Sequence, residues 1–288
     1  MLLTEPEFIK RLELLALLAR KVLNGELKAD RKSSKKGCGT VFADYQEYNL
    51  GDDLRNIDWN IAARLEQFVI KMFELEEDLT IHIIVDFSPS MQSKTLFTRQ
   101  LAAALSYIAL VNMDRLTIYG VGDSLQTILK PSHGKGKIFP MLKSLQDVEI
   151  FGDNTNFETA VKTFQSQRKR SGVCVVISDF FIPGGYKKAL DLLQWSKHDV
   201  FCIQVLDPSE LTCGLRGDVD FECCETGRRK KVTVSPEVAA RYEAAVKQWN
   251  DTLRTECARR KIGLVQTTTE TPFEDVVQNI LRRGGLVS

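Results

Sequence analysis

The chain has 288 residues, of which 43% are hydrophobic and 27% charged, with a formal net charge of +1. That length suits one large α/β domain with an accessory piece, and the balance argues against the basic surface that nonspecific nucleic-acid binding needs. No run approaches the 18 or so uncharged apolar residues of a membrane span, and Met-Leu-Leu-Thr-Glu-Pro does not open a secretory signal. The seven cysteines, at 38, 174, 202, 213, 223, 224 and 257, form no CxxC pair and no Cys/His zinc spacing. Reduced thiols in a cytoplasmic protein are the expectation.

Residues 7–24 read as an amphipathic helix, because Phe8, Leu12, Leu15, Ala19 and Val22 recur at three- and four-residue intervals and Asn24-Gly25 supplies a stop. The basic stretch 28–39 reads as a solvated loop. Between Thr40 and Leu79 aromatic anchors lead to the turn Leu50-Gly51-Asp52-Asp53, a short helical stretch to Arg64, and a strand from Phe68 to Glu74.

Strands and helices then alternate. A strand at 79–85 is followed by a helix at 95–112, and strands 115–121 and 125–130 form a hairpin around Gly122-Asp123. Helices at 136–146 and 156–168 flank a loop, 147–155. A strand at 173–178, a helix at 184–197 and a strand at 199–206 follow, with Cys174 and Cys202 expected in the core. An insertion with short strands occupies 208–234. Ser235-Pro236 then starts a long helix, with Val238, Tyr242, Val246, Trp249, Leu253 and Cys257 as its buried stripe. A strand at 262–267 and a helix at 272–283 end the pattern. Continuous apolar strands between amphipathic helices predict a doubly wound, mostly parallel α/β sheet covered on both faces. The expected division is an N-terminal extension, 1–78, and an α/β domain, 79–288.

The apolar run Ile81–Val85 opens into Asp86-Phe87-Ser88-Pro89-Ser90, which offers a carboxylate and two hydroxyls at alternate positions. Hard oxygen donors on one loop suit Mg²⁺, and open α/β sheets hold ligands beyond the carboxyl ends of their strands. One such loop supplies at most three ligands. Two more loops fall at the same end of the pattern, at Gly152–Asn156, where Thr155 presents a hydroxyl, and at Ser178-Asp179. The candidate metal ligands are therefore Asp86, Ser88, Ser90, Thr155 and Asp179, with Mg²⁺ expected and Mn²⁺ or Ca²⁺ able to substitute.

These five positions resemble the metal-ion-dependent adhesion site of von Willebrand factor A domains, which uses DxSxS, a distant Thr and a distant Asp. The resemblance implies hydroxyls bound directly to the ion, carboxylates often acting through water, and an open position for a partner's Asp or Glu. An enzymatic alternative is a phosphohydrolase of the haloacid-dehalogenase kind. It requires a second Asp two residues after the first, and Ser88 stands there instead. No Walker loop and no HExxH motif is present, and the three histidines are isolated in sequence.

Upstream, the segment from Tyr45 through Gly51-Asp52-Asp53, Arg55, Ile57-Asp58-Trp59 and Ala63-Arg64 to Glu74 reads as a tight turn with paired charges. Arg55 and Arg64 are expected to bridge Asp52, Asp53 or Asp58, either as a structural clip or as a partner-binding surface. The run resembles the DUF58 family, whose members carry Y-x-x-GDD-x-R-x-IDW-x-x-x-AR ahead of a von Willebrand A-type domain. The chain is similar to the short form without membrane helices. That resemblance implies partnership with a MoxR-type AAA+ ATPase, or with its client, in complex maturation or stress response. The expected function is thus a non-enzymatic, metal-dependent protein-interaction module. The alternative is a scaffold that binds through its N-terminal region and carries a vestigial metal site.

Overall fold

A computed structural model of the protein describes residues 2–30, 36–37, 41–49, 52–65, 67–74, 79–151, 156–167, 170–182, 184–224 and 227–282. They fall into two compact units, Met1–Leu23 with Leu79–Ser288, and Asn24–Asp78. Helix α1, Pro6–Asp30, begins in the first unit and runs into the second. It passes straight through Asn24-Gly25, where the sequence predicts a stop. A glycine inside a helix costs only about 1 kcal/mol, and the helix-favouring run Glu26-Leu27-Lys28-Ala29 lies beyond it.

In the Asn24–Asp78 unit, β1 (Lys36–Gly37) and β2 (Val41–Glu47) flank β3 (Val69–Glu74), both antiparallel to it. Helix α2, Trp59–Leu65, lies between β2 and β3 in sequence. The strand β2 is not apparent from apolar alternation, because Asp44, Gln46 and Glu47 interrupt it.

The larger unit is built on a six-stranded sheet. In chain order it comprises β4 (Thr80–Asp86), α3 (Thr95–Val111), β5 (Arg115–Val121), β6 (Leu125–Ser132), α4 (Ile138–Asp147), α5 (Phe157–Ser166), β7 (Val173–Ser178), α6 (Lys187–Trp195) and β8 (Asp199–Leu206). Then come the short α7 (Pro208–Leu211), β9 (Gly217–Glu222), β10 (Arg229–Val234), α8 (Pro236–Arg259), β11 (Gly263–Thr268) and α9 (Phe273–Arg282). The spatial order is β11-β8-β7-β4-β5-β6, parallel except for the β5–β6 pair. The predicted α/β class and the β5–β6 hairpin are both present. Strands β9 and β10 pair separately as a two-stranded ribbon within the insertion at 208–234.

Alternate residues of β4 face opposite layers, as the period of a strand requires. Ile83 and Val85 pack among α3, α4, α9 and the first turns of α1, whereas Ile84 packs among α5, α6 and the later turns of α8. Cys174 and Cys202 lie in that second layer, as expected. The buried stripe of α8 is shorter than the spacing predicts. Ala239, Val246, Leu253 and Cys257 are buried, while Val238 and Tyr242 are 37% and 41% exposed. Tyr242 turns its hydroxyl onto the carbonyl of Glu210, 2.9 Å away, instead of entering the core.

Candidate metal site

The chain moves from β4 to β5 and β6 on one side of the sheet, then restarts on the other side with β7, β8 and β11. The reversal falls between β4 and β7, and ligands of open α/β sheets sit in the crevice beyond the strand ends at such a point. Strand β4 ends in Asp86; β7 ends in Ser178, with Asp179 next.

Asp86 is buried. Its Oδ1 accepts the backbone N–H of Ser88 at 3.0 Å, and its Oδ2 accepts the Ser178 hydroxyl at 2.6 Å. Ser88 is fully buried, with its Oγ 3.0 Å from Ser90 Oγ, so the two hydroxyls of the loop meet. Asp179 is buried too: its Oδ1 accepts the N–H of Phe181 at 2.9 Å, and its Oδ2 accepts from Lys94 Nζ at 2.8 Å. Behind it, Gln204 Nε2 donates to the Asp179 carbonyl at 3.0 Å, and Gln204 is itself held by Asn250 and Gln266. Phe180 adopts φ of +61°, a conformation that strains a bulky residue. Its N–H donates to Ser178 Oγ at 2.9 Å, closing the turn that sets Ser178 and Asp179 side by side.

Thr155 lies outside the described residues. The shoulders of its loop are fixed, however. The Phe151 N–H donates to the Phe87 carbonyl at 3.1 Å, and the Asn156 N–H donates to the Gly122 carbonyl at 3.2 Å. Both ties reach the ends of β4 and β5, so Phe151 and Asn156 are held at the carboxyl edge of the sheet.

Burial, together with the charge of Asp179, pushes the Asp86 carboxyl up to about 6, against the lowering effect of its bonds from Ser178 and Ser88. Lys94 supplies part of the missing positive charge. Its side chain has no exposed surface, and Nζ also reaches Glu210 Oε1 at 2.5 Å. Burial alone would lower that ammonium's pKa, but the charges and hydrogen bonds of Asp179 and Glu210 outweigh it and hold it above the usual lysine value. Two buried carboxyls, Asp86 and Asp179, thus lie close together with the single ammonium of Lys94 beside Asp179, an arrangement to which a divalent cation would add positive charge. The donors Asp86, Ser88, Ser90, Ser178 and Asp179 are all oxygens, which fits a hard ion. Among the described residues no group of three or more His, Cys, Asp or Glu is placed to hold a metal.

Lys94, Ser178 and Glu210 escape motif reading as site residues. Lys94 was nevertheless marked by spacing, since it lies three residues after buried Met91 and three before buried Phe97. Glu210 was marked by the Asp207-Pro208-Ser209-Glu210 pattern, which forms a capping box on α7.

In the smaller unit the expected Arg55–Asp53 pair is present, whereas Asp52 and Asp58 take other partners. Asp52 Oδ2 accepts the Asn49 N–H at 2.9 Å, and exposed Arg55 takes Asp53 at 2.8 Å. Asp58 caps α2 through the N–H of Asn60, accepts Tyr45 Oη at 3.2 Å, and pairs with Lys71 at 3.1 Å. The lysine, rather than Arg55 or Arg64, holds the Asp58 carboxyl below its usual pKa. Arg64 is exposed.

The family model described as "Protein of unknown function DUF58" matches residues 44–252, and the chain belongs to that family. An uncharacterised protein of Mycobacterium tuberculosis is 24% identical over 240 residues, covering 81% of this chain and 75% of that one. An uncharacterised protein of Mycobacterium avium is 30% identical over 138 residues, covering 47% of this chain and 81% of that one. Among solved structures, the conserved hypothetical protein BatB from Bacteroides thetaiotaomicron aligns with 70% of this chain and 97% of its own, at 14% identity and a TM-score of 0.42. An aerotolerance-related membrane protein from Bacteroides fragilis aligns with 70% of this chain and 96% of its own, at 15% identity and a TM-score of 0.40. No helix among the described residues of the present chain is long and apolar enough to cross a membrane.

Proposed function

We propose that the protein is a non-enzymatic, metal-dependent protein-interaction module of the cytoplasm, with a MoxR-type AAA+ ATPase or that ATPase's client as its partner. The observation that carries the metal reading is the convergence, at the topological switch, of buried Asp86 and Asp179 with the paired hydroxyls of Ser88 and Ser90. A bound Mg²⁺ would supply an electrophilic position open to a carboxylate from the partner. The chain's own contribution is to fix the oxygens. Ser178 orients Asp86, Lys94 and the Phe181 N–H orient Asp179, and the Ser88 N–H holds the loop in register. The choice of partner rests on the resemblance of the Tyr45–Glu74 segment.

Calorimetry with Mg²⁺, Mn²⁺ and Ca²⁺ and capture of the purified ATPase test this reading. Wild-type protein is expected to take up a divalent ion and to capture the ATPase only without EDTA. Asp86→Ala or Ser88→Ala should abolish capture while leaving the circular dichroism spectrum unchanged. Absence of uptake for all three ions, or capture that survives EDTA and both substitutions, rejects it.

A scaffold reading has one observation in its favour: in the smaller unit Trp59 and Phe68 are 61% and 56% exposed and meet edge-on at 6.5 Å. Loss of capture in an Arg55→Ala/Arg64→Ala double variant, with capture intact in Asp86→Ala, would select it.

A further inference from the structure

Lys94 ends the 3₁₀ segment Pro89–Lys94 that leaves the DxSxS loop, and its buried ammonium lies between two carboxylates from distant parts of the chain. Asp179 belongs to the candidate metal site. Glu210 belongs to α7, the first element of the insertion. The second oxygen of Glu210, Oε2, accepts the Asp207 N–H at 2.7 Å and closes the capping box, while its carbonyl accepts the Tyr242 hydroxyl. A few residues on, the Cys213 N–H donates to Glu243 Oε1 at 3.1 Å. The segment that leads into the β9–β10 ribbon is thus anchored at Glu210 and along the first turns of α8.

We propose that Lys94 couples cation occupancy at Asp86 and Asp179 to the seating of α7 and the β9–β10 ribbon, so that the ribbon's order reports the state of the site to a partner. This rests on the metal reading above. A divalent ion that draws on the Asp179 carboxylate competes with the ammonium for its charge and repels the ammonium itself. The other carboxylate the ammonium touches is Glu210, so its attraction shifts there. Glu210 is then held more firmly, and with it the capping box and the base of the ribbon. Coupling of this kind is reciprocal, so whatever loosens Glu210 weakens cation binding by the same factor.

Hydrogen–deuterium exchange of the full chain, with and without excess Mg²⁺, reads the coupling in peptides covering 208–234. In wild type, Mg²⁺ is expected to slow exchange there by about fivefold or more, within the usual range of allosteric coupling. Glu210→Gln should still take up Mg²⁺ by calorimetry, with affinity reduced by the same factor, and the slowing should vanish. Glu210→Asp, which keeps the charge but shortens the reach, gives the same loss should the Gln variant fail to fold. Glu222→Gln, on the exposed ribbon, should retain the slowing. Mg²⁺ uptake with unchanged exchange in wild type, or full slowing in both Glu210 variants, overturns the coupling and leaves the metal site standing. No uptake by wild type removes the site and the coupling together.

Discussion

A lysine ammonium without exposed surface persists only where carboxylates replace its water, and Lys94 has Asp179 and Glu210. Lys94→Met keeps most of the side-chain volume and removes the charge, leaving Asp179 buried near Asp86 with no ammonium beside it. Removing one partner of a buried ion pair costs about 3–5 kcal/mol, so the urea midpoint should fall accordingly, and excess Mg²⁺ should recover part of the loss. An unchanged midpoint would show that the ammonium is not what balances the site. A second buried group gives a pH signature of its own. His198 packs against Phe164 and His82, with ring centroids 5.3 Å away in each case. Burial holds its pKa below the usual imidazole value, although the Gly172 carbonyl and the charge of Asp199 both act to raise it. The fold accepts the neutral ring, so the unfolded chain binds more protons once pH drops below about 6.5. Stability from this source is complete above that pH and declines as pH falls through it. Asp86 has the opposite sign, because a carboxyl pushed up to about 6 binds its proton more readily when folded. Comparing His198→Phe with wild type isolates the histidine: urea midpoints should drop less on acidification in the variant, and equal drops would reject the assignment. At this scale the DxSxS residues were legible because their spacing alone places three oxygens on one turn. The pairing of Lys94 with Glu210 was not, because it spans 116 residues and exists only once α7 is brought beside the DxSxS loop.

The elements around the site depend on close backbone approach. At Gly122 an added Cβ would lie 2.1 Å from the Phe151 carbonyl oxygen. Phe151 in turn bonds the Phe87 carbonyl and stacks on the Phe87 ring at 6.2 Å, with an interplanar angle of 24°. Gly122→Ala must therefore push Phe151 away from the DxSxS loop, because the clash is with backbone and no rotamer relieves it. Overpacking of this kind costs about 1–3 kcal/mol, visible as a lowered melting temperature. Loss of Mg²⁺ uptake in calorimetry should accompany it, whereas a variant melting and binding like wild type would show that Phe151 and the DxSxS loop can part freely. The elements themselves were readable from periodicity wherever burial was two-sided, as in β4, β7 and β8. Periodicity failed at the ends of helices. It put Val238 and Tyr242 inside, although the first turns of α8 serve the insertion rather than the core, and it stopped α1 at Asn24-Gly25, where neighbouring helix formers carry the helix onward.

At the scale of the molecule, the first turns of α1 belong to the same compact unit as 79–288, which a division at 78/79 does not reflect. Periodicity in α1 announced a buried face but could not say what covers it. In the structure Phe8, Leu12, Leu15 and Ala19 are buried in the layer containing α3, α4 and α9. Phe8 meets Phe273 at 5.5 Å between ring centroids, Arg11 lies over that same ring and pairs with Glu274, and Thr4 bonds Gln146. Each fully buried large apolar side chain contributes about 1.5–3 kcal/mol, so Phe8, Leu12 and Leu15 together weigh against a total stability of only about 5–15 kcal/mol. A fragment of residues 24–288, which keeps every strand of the sheet and every candidate ligand, should accordingly lose most of its stability. Chemical unfolding is expected to show either a much lower midpoint than the full chain or no cooperative transition, with dye binding to the uncovered α3–α9 surface. Residues 24–288 unfolding at the wild-type midpoint would mean that the first turns of α1 rest on the sheet without holding it together, and that the architecture around Asp86 and Asp179 stands without them.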